Sequence, residues 1–73
     1  MNIKEQAKIT AKKIAELNSE EEIKKVLKEE IDKLSISEAK EFLLFTEDQC
    51  NLSTLKNAKA ASIVAKSVRQ SLK

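Results

Sequence analysis

The chain has 73 residues, 14 basic and 12 acidic, with one cysteine and no glycine, proline, histidine, tryptophan or tyrosine. A lone cysteine excludes an internal disulfide and the Cys-rich zinc modules, and the lack of glycine excludes a phosphate-cradling loop. Without histidine, acid–base chemistry near neutral pH would fall to carboxylates, lysine or Cys50, each needing a strong pKa shift in a cleft that so short a chain has little room to build.

About half of the residues are Ala, Lys, Glu or Leu, all good helix formers, and no stretch alternates with the period of a strand. The fold class is therefore all-α. With Gly and Pro missing, helix boundaries must be read from capping residues and from the phase of the apolar positions.

Helix 1 is expected near residues 3–17. Asn2 precedes Glu5 by three, as in a capping box, and the apolar stripe runs Ile3, Ala7, Thr10/Ala11, Ile14 and Leu17. Ile9 projects away from that stripe.

Helix 2 is expected near residues 20–34, after Ser19 with Glu22 three positions on. Its stripe, Ile23, Val26, Leu27, Ile31 and Leu34, is out of phase with the first, so one continuous helix could not bury both against one partner. Glu20, Glu21 and Glu22 suit the positive end of the helix dipole, and Glu20/Lys24, Glu21/Lys25 and Glu29/Lys33 stand at salt-bridge spacing. This reads as a solvated face rather than a metal site, since no glycine-containing calcium loop accompanies it.

Helix 3 is expected near residues 37–50, from Ser35 and Glu38. The break before it could equally be a kink, because the phase change there is modest. It contains the run Glu41-Phe42-Leu43-Leu44-Phe45, with both aromatic residues of the chain. Four large apolar side chains in a row cannot share one face: Phe42, Leu43 and Phe45 are expected to anchor core and interface, while Leu44 falls among Lys40, Asp48 and Asn51. Cys50, at the negative end of the dipole and near the angle of Leu43 and Ala39, reads as a small core residue.

Helix 4 is expected near residues 54–72. Asn51 would take the left-handed conformation that glycine usually supplies, and Ser53 or Thr54 would cap the start. The glycosylation pattern Asn51-Leu52-Ser53 is read as chance. Ala58, Ala61, Val64, Ala65, Val68 and Leu72 form an alanine-rich packing face, beside a basic stripe made by Lys56, Lys59, Lys66, Arg69 and Lys73. Leu55 and Ile63 flank the basic side.

Short connections favour antiparallel neighbours. The expected architecture is one domain over residues 1–73, a small bundle of three to four short antiparallel helices completed by dimerisation. No apolar run reaches the roughly 20 residues of a membrane span and no signal-peptide core is visible, so the expected location is the cytoplasm. The Lys, Ile, Asn and Glu bias is what A/T-rich codons produce and points to a low-GC bacterium or a phage.

Charge is segregated: residues 1–18 carry +2, residues 19–50 carry −5 and residues 51–73 carry +5. The basic stripe is expected to pair with the acidic face of helix 2, within one chain or across a dimer. The functional expectation is a non-enzymatic regulator, inhibitor or adaptor acting through protein–protein contact as a homodimer, with Ile9, Phe42, Leu44, Phe45 and Ile63 at the interface. No cofactor, metal, catalytic residue, membrane or small-molecule substrate is expected. The alternative is a nucleic-acid-binding module using Lys56, Lys59, Lys66, Arg69 and Lys73 as phosphate contacts.

Overall fold

A computed structural model of the chain describes residues 2–72. Among them are four α-helices packed together and no strand: α1 (Ile3–Ile14), α2 (Glu20–Ile31), α3 (Ile36–Leu52) and α4 (Ala58–Ser71).

The starts of α1 and α3 follow the capping chemistry. Asn2 Oδ1 accepts from the Glu5 amide at 2.8 Å. At α3 the box is complete, with the Glu38 amide donating to Ser35 Oγ and the Ser35 amide donating to Glu38 Oε1. Ser35 is extended (φ −68°, ψ 165°), so the boundary between α2 and α3 is a true break and not a kink. Ser19 occupies the N-cap of α2 but makes no side-chain cap bond.

The start of α4 differs from the sequence expectation. Asn51 lies inside α3, and no described residue has a positive φ. Its side chain is used elsewhere, accepting from Ser62 Oγ at 2.7 Å. Helix α3 therefore runs on to Leu52, and Ser53 leaves it extended (φ −83°, ψ 146°). Ser53 Oγ then accepts from the Leu55 amide at 3.1 Å, and the Leu55 carbonyl accepts from the Ala58 amide. The second bond closes a turn over Leu55–Ala58, and the helix begins at Ala58, where that turn ends. Asn57 becomes the N-cap, with its side chain turned away to donate to the Leu17 carbonyl (2.7 Å) and Asn18 Oδ1 (3.1 Å).

The two other ends are shorter than expected. After Ile14 the chain tightens into bonds from Glu16 to Lys13 and from Leu17 to Ile14, and after Ile31 the Leu34 amide donates back to the Ile31 carbonyl. Such three-residue bonds satisfy the last carbonyls without prolonging the α-helix.

Helix α3 packs closely against α4 on one side and α1 on the other, and α4 also meets α2. The consecutive helices α1 and α2 touch only slightly. The reason lies in the width of the buried stripes. Helix α2 fully buries only Ile23 and Leu27, whereas α3 buries Ala39, Phe42, Leu43, Thr46 and Cys50 and can serve two neighbours. The core gathers Ala7, Ala11 and Ile14 with Ile23, Leu27, Phe42, Leu43 and Cys50 and with Ala61, Val64, Ala65 and Val68. Ala58, Ala61 and Ala65 are buried on α4, as expected of a close-packing face.

Candidate interaction surfaces

The residues expected at an interface separate in the structure. Phe42 is completely buried, so it belongs to the core and cannot meet a partner; it lies on the same face as Ala39 and Thr46, which are also buried. Ile9 (55% exposed), Leu44 (44%) and Ile63 (64%) stand on the outer faces of α1, α3 and α4. Phe45 is half-buried. Three further exposed residues lie outside the interface set: Ile36 (57%) at the start of α3, and Leu52 (79%) and Leu55 (41%) at and beyond its end. Leu52 was concealed because Asn51-Leu52-Ser53 reads as a connection, whereas Asn51 and Leu52 complete the last turn of α3.

Phe45 and Leu52 belong to one groove, formed where α1 lies against α3. Its central part, a depression of about 560 Å³, is lined by Lys4, Glu5 and Lys8 of α1 and by Phe45, Asp48, Gln49 and Leu52 of α3. Towards the start of α1 it continues over Ile3, Glu38 and Glu41, and towards the end of α3 over Ala11, Lys12, Ser53, Thr54 and Leu55. Lys4, Lys8 and Lys12 are one turn apart, so they form a row along α1. The Lys4 ammonium sits 5.5 Å from the Phe45 ring centre, within cation–π range. A separate groove between α2 and α4 is lined by Glu20, Glu21, Lys24, Ile63, Val64, Ser67 and Val68.

The basic stripe is thinner than the sequence suggests. Lys59 and Lys66 are exposed on α4, while Lys56 lies in the preceding turn. Lys73 lies outside the described residues. Arg69 turns inward and forms an ion pair with Glu47 of α3 at 3.3 Å, the only pair within 4 Å among the described residues. Pairing between α4 and the acidic face of α2 is thus not formed there, nor are the expected Glu–Lys pairs along α2. The geometry of α4 explains this: Ser62 and Arg69, seven residues apart on one face, both reach α3, whereas Val64 and Val68 turn to α2.

Cys50 is buried, and its thiol is pushed up from 9.0 to about 11, chiefly by burial and secondly by the Glu47 carboxylate. Such a thiol stays protonated at neutral pH and is a poor nucleophile. Among the described residues no group of three or more Cys, Asp or Glu side chains is placed to hold a metal ion, and no helix is long and apolar enough to cross a membrane.

No family model matches the chain, and neither curated proteins nor solved structures show a match to it.

Proposed function

We propose that this protein works by protein–protein contact as a homodimer, without chemistry of its own, in the manner of a small regulator, inhibitor or adaptor. The observation that carries the reading is the number of large apolar side chains left in solvent. Ile9, Ile36, Leu44, Leu52, Leu55 and Ile63 are all exposed on a chain whose core is already small. Single exposed apolar residues are ordinary, but a short domain gains most from covering several of them, at roughly 1.5 to 3 kcal/mol for each large side chain fully buried. The protonated thiol of Cys50 and the absence of histidine also favour binding over catalysis.

Self-association links stability to concentration, because the dimer forms only from folded chains. The thermal midpoint should therefore rise measurably between about 1 and about 100 μM protein. A midpoint independent of concentration would count against the homodimer.

The nucleic-acid alternative rests on Lys56, Lys59, Lys66 and Lys73, since Arg69 is drawn to Glu47 through one guanidinium nitrogen. It requires a mobility shift at low salt that Lys59→Glu/Lys66→Glu abolishes. Absence of any shift at low salt would end it.

A further inference from the structure

The two walls of the α1–α3 groove carry opposite net charge. Lys4 and Lys8 line it from α1 with one carboxylate, Glu5, beside them, Glu38, Glu41 and Asp48 line it from α3, and Phe45 and Leu52 supply apolar surface between the walls. No lysine–carboxylate pair closes across the groove within 4 Å among the described residues, so both walls keep their charge for a group outside the chain.

The pattern is self-complementary in one orientation only. A two-fold axis running along the groove lays the lysine wall of each copy over the acidic wall of the other, and sets Phe45 and Leu52 against their own counterparts. An axis across the groove would instead oppose lysine to lysine and carboxylate to carboxylate, which is unfavourable. A standard interface covers roughly 800 Å² per partner, about a sixth of this chain's 5005 Å² surface, which one side of a bundle 30 Å long can supply.

We propose that a second copy of this chain docks on the α1–α3 groove about a two-fold axis parallel to it, with Lys8 of each copy facing Asp48 of the other. This rests on the reading that the chain self-associates, and adds the surface and the symmetry. It also separates the exposed apolar residues: Leu52 and Phe45 become covered, while Leu44, which does not line the groove, stays in solvent.

The test is sedimentation velocity on the wild type, Lys8→Glu, Asp48→Lys and an equimolar mixture of the two variants. The symmetry repeats each charge reversal, so each variant alone should bind itself at least about tenfold more weakly than the wild type. The mixture should recover most of the affinity, because the introduced carboxylate then faces the introduced ammonium while the native Lys8 faces the native Asp48. Both positions are exposed, and circular dichroism checks that the variants stay helical; Lys4→Glu with Glu41→Lys provides an independent second pair. A wild type that associates unaffected by any of these changes overturns the groove assignment and leaves self-association standing. Variants that weaken but fail to restore each other overturn the two-fold arrangement. A monomeric wild type overturns both.

Discussion

The Cys50 thiol titrates far from its ordinary value, and this has a consequence for stability. The unfolded chain releases that proton near pH 9.0, whereas the folded chain holds it to about 11. Between those values the unfolded state binds fewer protons, so stability falls as pH rises, by about 3 kcal/mol in total for this group. Urea unfolding at pH 8 and pH 10.5 should show a steeper loss for the wild type than for Cys50→Ala, with the lysines common to both; equal losses would show that the thiol does not contribute. A second prediction concerns Leu44 and Leu52. Leu52→Glu should weaken self-association, while Leu44→Glu should leave it unchanged, and light scattering on both variants distinguishes them. The run Glu41-Phe42-Leu43-Leu44-Phe45 was legible in part. Helical angles place Leu43 in the core and Leu44 outside it, and the structure agrees. They could not show that Phe42 is sealed on every side, because that depends on neighbours from other helices. Nor do they show Phe45 beneath the Lys4 ammonium, since that proximity arises only when α1 lies against α3.

At the scale of elements, capping separates two serines that look alike in sequence. Ser35 exchanges bonds with Glu38, so Ser35→Ala should cost about 1 kcal/mol, while Ser19→Ala, which loses no side-chain cap bond, should cost little. Chemical denaturation of the two variants gives the comparison, and equal costs would contradict it. Asn57 is a stronger case. It holds the start of α4 to the α1–α2 connection through Leu17 and Asn18, so Asn57→Ala should cost about 1 to 2 kcal/mol and lower the thermal midpoint by several degrees. Three helix starts were legible because Asn or Ser stood before Glu at the right spacing. The start of α4 was not, because Asn51 and Asn57 spend their side chains on residues 11 and 40 positions away. Neighbour order was hidden for a related reason: short connections favour packing of consecutive helices, but α2 fully buries only Ile23 and Leu27, whereas α3 buries enough to hold both α1 and α4.

For the whole molecule, net charge says little and its placement says more. The basic tail and the acidic middle of the chain do meet, but through α4 and α3, at Arg69 and Glu47, and not through α2. The charges of the α1–α3 groove stay unpaired within the chain, beside apolar side chains that a 73-residue core does not reach. Composition and periodicity disclosed the all-helical class and the shortage of core. They could not disclose the groove, which combines a lysine row from one helix with carboxylates from another that is not its neighbour in sequence. Self-association is the claim on which the rest depends, and sedimentation equilibrium of the wild type at micromolar concentration tests it most directly. The mass should be twice the 8.2 kDa of one chain, falling towards 8.2 kDa on dilution; a constant 8.2 kDa at every concentration would contradict the account.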